Sequence, residues 1–215
     1  MSTPAPARAP SDRRTSTLGS SSSKRQSTAL PKPSSIFLDP SVLIAQHAQL
    51  TGTHPITVGP NTVLHPHCKI SSAHAPVVMW EGVVVYERAR VGVENPRVMR
   101  TDTSRGDGVV LGKNVVIETG CVIEASEIGE GSVIEVGANI GVGCVIGEFC
   151  TISASTLLPP NTHIPDFTVV YSGLEKRVNK TLQSRPELQQ AKVVMHTKQL
   201  EIFKKLVPNN VSKWT

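Results

Sequence analysis

The chain has 215 residues, of which 39% are hydrophobic, 18% charged and only 4% aromatic, with 16 Gly and 16 Pro. This length allows one domain with tails, and a Val/Ile core with few aromatics argues against a helical bundle, a coiled coil or a wholly disordered chain; no run reaches the ~18 apolar residues of a membrane helix, so no membrane insertion is expected. The net charge of +5 divides into +4 over residues 1–40, −5 over 41–171 and +6 over 172–215, which leaves an acidic body with basic ends and excludes a phosphate-backbone surface on the body: no nucleic-acid partner is expected.

Residues 1–40 hold ten Ser and six Pro. Such a segment buries too little apolar surface to offset its ordering entropy, so it reads as a disordered Ser/Pro/Arg-rich tail. Its Arg-rich, acid-poor composition is shared with transit peptides, but Pro4, Pro6, Pro10, Pro31 and Pro33 would interrupt the amphipathic helix a transit peptide forms. No apolar h-region of a secretory signal follows Met1.

From residue 41 to 171 the sequence is periodic. Aliphatic residues recur every six positions at Ile128, Ile134, Ile140, Ile146, Ile152, Leu158, Ile164 and Val170, and earlier at Leu111, Ile117 and Ile123, with a one-residue slip at Ser126–Glu127. The step is also present at Ile44, Leu50 and Ile56, at Val58, Leu64 and Ile70, and at Met79, Val85 and Val91. A period of six is neither helix nor plain strand.

The rest of the hexad explains the period. Two residues before each aliphatic stands a small one: Val115, Cys121, Ser132, Ala138, Cys144, Cys150, Thr156, Thr162 or Thr168. In an extended strand the two share a face. Gly or Asn recurs three residues after the aliphatic, as at Asn114, Gly120, Gly131, Gly137, Gly143 and Asn161, and these residues tolerate the positive φ of a tight corner. Short strands turning a corner every six residues give a parallel β-helix. About six triangular coils run from Ile44 to Val170, around a column of Ile and Val. Residues 92–108 break the step and read as a loop insertion; SSAHAP at 71–76 is a shorter one. Loops on a regular scaffold are where function concentrates.

Residues 172–215 read as a linker and a C-terminal helix. Ser184 and Glu187 have capping-box spacing, Pro208 is a stop signal, and the helix is predicted at about 186–207. Leu188, Met195, Ile202, Phe203 and Leu206 fall on or near one face, which is expected to pack on the prism with the Lys-rich face outward.

Chemistry-bearing residues are few in pattern. Cys68, Cys121, Cys144 and Cys150 all take the small inward position and read as core residues; with no disulfide framework they imply a reducing compartment. His47, His54, His65, His67, His74, His163 and His196 are scattered. His65 and His67 could chelate a metal but lack a clear third ligand, and Leu111 to Ile152, the central coils, hold no His, unlike the zinc-binding γ-carbonic anhydrases. Hexapeptide acyltransferases share the repeat and use a His base, for which His54, His74 or His163 are candidates. No phosphate-binding, dinucleotide-binding or hydrolase signature is present.

The stretches NTVLHPHCKI (61–70), GKNVVIETGCVIEASEIGEGSVIEVGANIGVGCVIGEFCTISAS (112–155), LLPPNTHIPDFTVVYSGLEKR (157–177) and FKKLVPNN (203–210) resemble the dynactin subunit 6 family. The resemblance covers about residues 42–210. It implies an all-β chain of the left-handed parallel β-helix superfamily with hexapeptide repeats and a C-terminal α-helix packed on the prism. It further implies a non-enzymatic pointed-end subunit of dynactin, with no catalytic, cofactor-binding or metal residue and no cofactor. The implied partners are dynactin subunit 5, an actin-related protein at the filament pointed end and other dynactin subunits. The implied setting is cytoplasmic, cytoskeleton-associated transport by dynein, with cargo such as endosomes.

Overall fold

The computed structural model describes residues 1–2, 35–94, 108–171 and 174–214. The expected disordered tail therefore lies almost wholly outside the described residues, as does most of the 92–108 insertion.

Short parallel strands wind into a triangular, left-handed β-helix of six complete coils and a partial seventh. Face A carries β1 (Ile36–Leu38), β4 (Ile56–Val58), β7 (Val77–Met79), β10 (Val109–Leu111), β13 (Glu127–Ile128), β16 (Val145–Ile146) and β19 (His163–Ile164). Face B carries β2 (Leu43–Ile44), β5 (Val63–Leu64), β8 (Val84–Val85), β11 (Val116–Ile117), β14 (Val133–Ile134), β17 (Thr151–Ile152) and β20 (Thr168–Tyr171), and ends in an antiparallel strand, β21 (Glu175–Val178). Face C carries β3 (Gln49–Gly52), β6 (Lys69–Ser72), β9 (Arg90–Val91), β12 (Val122–Ile123), β15 (Asn139–Ile140) and β18 (Leu157–Leu158).

The hexad aliphatics form the axial column. Ile128 pairs with Ile146 and Ile146 with Ile164 on face A, and Ile117, Ile134 and Ile152 line up on face B. All are essentially inaccessible. Each contributes about 1.5–3 kcal/mol by burial, and each outer neighbour on the same strand is left half-exposed or exposed. The register slip at Ser126–Glu127 and the insertions after β3, β6 and β9 all fall at the corner from face C to face A. The other two corners keep the six-residue step, so the column survives the interruptions. At 71–76 the loop is narrower than expected: Ser71 and Ser72 belong to β6, and buried Ser72 donates from its hydroxyl to the His54 carbonyl at 2.7 Å.

At the two regular corners the third residue after the aliphatic takes positive φ, as Gly131 (φ 65°) and Asn114 (φ 55°) show. The same position is also filled by His47, His67, Arg88, Phe149, Ser155 and Phe167, all with positive φ, so coil closure overrides local preference there. The glycine directly after the aliphatic serves close stacking instead: a Cβ on Gly129 would come within 2.5 Å of the Gly147 carbonyl carbon in the coil above.

The solenoid starts at β1, ahead of the expected boundary at residue 41, because Ile36 and Leu38 pack on the column while Ile36 pairs with Ile56. After β20 the chain reverses into β21, which the reading of 172–215 as a linker did not anticipate. A short helix α1 (Lys180–Gln183) follows, capped by the Asn179 side chain accepting from Leu182 N–H. Helix α2 spans Pro186–Leu206, matching the expected 186–207. The expected capping box is absent. Ser184 closes α1 by donating its N–H to Lys180, and α2 starts from Arg185 with no side-chain cap; Pro186 at the first helical position lacks the N–H that would need one. Val207, extended before Pro208, ends α2. No helix among the described residues is long and apolar enough to cross a membrane.

Candidate protein-interaction surface

Helix α2 lies along the prism, and polar groups hold much of its length there. Lys192 Nζ donates to the Gly131 carbonyl at 2.8 Å, His196 Nε2 to the Gly82 carbonyl at 2.6 Å, Gln199 Nε2 to Tyr86 Oη at 2.7 Å and Lys204 Nζ to Asn61 Oδ1 at 2.6 Å. The apolar part of the contact is compact: Leu200 packs with Leu43, Val63 and Val84 on face B, flanked by Tyr86, Phe203 and Val207. Burial pushes His196 below the usual histidine range. Its bond to the Gly82 carbonyl partly offsets this, and the nearby Lys192 charge adds to it. Lys192 is itself lowered by burial.

This overturns the expected docking face. Of the five apolar residues assigned to it, Phe203 packs inward, but Leu188, Met195, Ile202 and Leu206 are exposed, Met195 by 67% and Leu206 by 72%. Lys192 and Lys204, expected to look outward, contact the prism. The residues that are buried, His196 and Leu200, sit on the neighbouring face of the helix. An uncommitted apolar stripe of α2 and the outer side chains of face B thus enclose an open groove of about 620 Å3. Val116 and Val133 form its floor and Met195 and Ile202 one wall, with Tyr86 and Phe149 completing the apolar lining and Glu118, Lys192 and Lys198 supplying charge. A groove of this composition suits a side chain or helix of a protein better than a polar metabolite.

The histidines are dispersed. His65 is buried, stacked on Tyr86 with ring centroids 4.6 Å apart and edge-on to Phe203 at 4.8 Å, a clasp between prism and helix. Burial lowers its pKa, opposed by the Glu87 charge. His67 is exposed and stacks on His47 at 5.0 Å, so His65 and His67 lie on separate surfaces and do not converge. His54 Nδ1 donates to the Ser72 carbonyl at 2.9 Å, while His74 and His163 are exposed. None of these three lines the groove. Among the described residues, no three His, Cys, Asp or Glu side chains approach closely enough to hold a metal ion.

All four cysteines are free and buried. Burial pushes the Cys68 thiol up to about 12, and raises Cys121, Cys144 and Cys150 as well, which removes the thiolate a nucleophile or metal ligand needs. Three of them do something composition alone did not reveal. Cys121, Cys144 and Cys150 donate to the carbonyls of Glu135, Pro159 and Pro165 at 3.0–3.1 Å. Ser132 does the same to Gly147 at 2.8 Å and accepts from Cys150 N–H at 2.9 Å. At these four positions the small inward residue is thus a donor that ties one coil to the next, whereas Thr162 and Thr168 donate within their own corners, to Pro159 and Asp166.

A family model described as dynactin subunit 5 matches residues 36–210, from the first residue of β1 to beyond the end of α2. No curated protein matches the chain. Among solved structures, a hexapeptide transferase family protein of Anaplasma phagocytophilum is similar over 79% of this chain and 97% of its own, with TM-score 0.52 and 11% identity. A candidate acetyltransferase of Bacillus cereus is similar over 80% and 92%, with TM-score 0.56 and 17% identity. At such identities the likeness is one of fold. The motifs of the sequence point to subunit 6, whereas the matching family is that of subunit 5; the two agree on a dynactin β-helix family and differ on the member.

Proposed function

The chain belongs to the dynactin subunit 5 family, and from that premise we propose that it is a non-enzymatic structural subunit of the dynactin complex. The observation that carries this reading is the family match across 36–210, which takes in the solenoid and the docked helix together. In this role the prism is a rigid spacer in the pointed-end part of the complex. It stands beside a second β-helix subunit and near the actin-related protein that ends the filament, in a cytoplasmic, cytoskeleton-associated assembly that supports dynein-driven transport and cargo such as endosomes. Whether the chain is the subunit 5 or the subunit 6 member follows from which β-helix partner it recruits. Three observations support a binding role: the thiols are locked in the core, the histidines are spread over separate surfaces, and the groove beside α2 is mainly apolar. The competing reading is a hexapeptide-repeat acyltransferase or γ-carbonic-anhydrase-like protein, either of which would work as a homotrimer.

The test is the native mass and composition of the tagged protein purified gently from its own cells. A very large particle containing actin-related proteins and a second β-helix subunit is expected. A particle of about 69 kDa, three copies of the 23.0 kDa chain, with nothing else bound would overturn the proposal and make acyl-CoA and zinc binding the next measurements.

A further inference from the structure

The two ends of the solenoid are finished differently. At coil 1, the segment after α2 returns beneath the prism. Val211 and Trp214 pack against the axial column beside Ile36 and Leu38. The Asn209 carboxamide accepts from Ile44 N–H through Oδ1 at 3.1 Å and donates to the Val42 carbonyl through Nδ2 at 3.1 Å, and Asn210 N–H donates to the Ile44 carbonyl at 2.7 Å. A carboxamide presents a donor and an acceptor side by side, as a peptide group does, so Asn209 stands in for a strand on the edge of β2. The chain's own C-terminal segment covers the β2 edge and the column at this end, while β1 and β3 have no further strand on their outer edges among the described residues.

At the other end, faces A, B and C finish in β19, β21 and β18, with no further strand among the described residues. In the β20–β21 pair, Lys176 lies opposite Val170 and Val178 opposite Thr168. Directly opposed residues share a face, and Thr168 and Val170 are buried in the axis. Lys176 and Val178 therefore lie over the end of the column, yet both are exposed, Val178 by 41%. Leu157 on the last strand of face C is 65% exposed, and Leu174 is exposed in the turn before β21. The first coil's strands show one comparable residue, Phe37.

We infer that the second β-solenoid named under the proposed function stacks end-on against the β18–β19–β21 end, and not against the sealed coil 1 end. The inference rests on that reading for the existence of the partner, and on this structure for the end it uses. An isolated peptide strand can satisfy one edge. β18 and β19 follow one another around the corner on adjacent faces, and a parallel solenoid coil presents edges at the same turn, with apolar side chains for Leu157, Leu174 and Val178. Head-to-tail contacts that do not close run on into filaments; at the far end the β2 edge and the column are already covered, which removes that apolar surface for a second partner.

The experiment uses the full-length tagged chain in its own cells. A double variant, Leu157→Glu with Val178→Glu, alters the open end, and Phe37→Glu alters the sealed one. All three positions are exposed, and thermal unfolding at the wild-type temperature checks that each variant is folded. Burying an unpaired charge in the contact predicts about a tenfold or greater loss of the β-solenoid partner, identified by its own hexads, for the open-end variant, and unchanged recovery for Phe37→Glu. Should the double variant unfold, Lys176→Cys replaces it: the native thiols are buried, so a thiol cross-linker placed there is expected to trap the β-solenoid partner. Partner recovery retained by the folded open-end variant, loss caused by Phe37→Glu, or a cross-link to any other subunit alone overturns the inference while the dynactin reading stands. A purified chain that dimerises through the open end makes a second copy the occupant, and increased hydrogen exchange at 174–178 on removing residues 1–34 makes the chain's own N-terminal segment the occupant; either overturns it too. Absence of any β-solenoid from the wild-type particle overturns both.

Discussion

Along the axis of the solenoid the buried side chains are Ile128, Ile146 and Ile164, stacked coil on coil; beneath α2 they are His196 and Leu200. The first surface is dry, repeated and indifferent to which coil is considered. The second has one compact apolar contact, around Leu200, and a row of polar bonds to corner carbonyls at Gly82 and Gly131. A corner carbonyl with a free lone pair is present in every coil of a β-helix, so a helix can dock by donating to corners without an apolar stripe of its own. The difference predicts a rigid prism carrying a helix whose attachment is local, separable and dependent on protonation.

The largest effect should come from the column. Replacing Ile134 or Ile146 by Asp puts an unpaired charge at a position with essentially no solvent access, which exceeds ~4 kcal/mol and should prevent folding. Circular dichroism and the soluble yield measure it, and a mutant that unfolds cooperatively at the wild-type temperature would contradict the coil register. Leu200→Ala should cost about 2–4 kcal/mol locally, but as loss of α2 docking rather than of the fold. Hydrogen exchange is expected to rise over α2 and the 209–214 seal while β10 to β17 stay protected. Equal exposure of both regions would mean that prism and helix form one cooperative unit.

The pH dependence separates the regions further. His196 and His65 both have folded pKa values below the ordinary 6.5, chiefly through burial. The undocked state then binds more protons, so docking is fully stable above 6.5 and weakens as pH falls below it. Lys192 faces His196 and opposes its protonation, while Glu87 near His65 favours it, so His196 carries more of the effect. Protection of the α2 amides relative to their intrinsic exchange rates should fall between pH 7.5 and pH 5.5 while that of the prism is unchanged, and His196→Gln should flatten the dependence. A pH-independent α2 would contradict this account.

The solenoid was legible in the sequence because one requirement, a large inward residue every six positions, repeats through the chain. Ile128 to Val170 lie where the period puts them, and the irregular earlier coils differ only at one corner. Two things could not be read. The seal by Asn209 and Trp214 depends on a contact with Val42 and Ile44 some 165 residues away in sequence, and nothing local to FKKLVPNN signals it. The docking face of α2 was misread because periodicity reports where apolar residues lie on a helix, not which side meets the prism. Lys192 and His196 look like outward residues until corner carbonyls are available to them, and Gln199 until the Tyr86 hydroxyl is.

The smallest expected effect is the most discriminating for α2. Met195 and Ile202 are 67% and 53% exposed, and both stand on the wall of the groove rather than under the helix. Their double replacement by Lys removes the apolar stripe that the sequence offers as a docking face, yet exposed substitutions away from buried contacts fall within about 0.5 kcal/mol. Thermal stability and α2 exchange should therefore match the wild type, at the same pH and salt. A destabilisation above about 1 kcal/mol would show that the helix rests on the Leu188–Met195–Ile202 stripe after all, with the bonds to Gly82 and Gly131 incidental. A wild-type result, set beside a strong effect of Leu200→Ala, would place the whole attachment on the neighbouring face and leave the stripe and the groove beside it free for another protein.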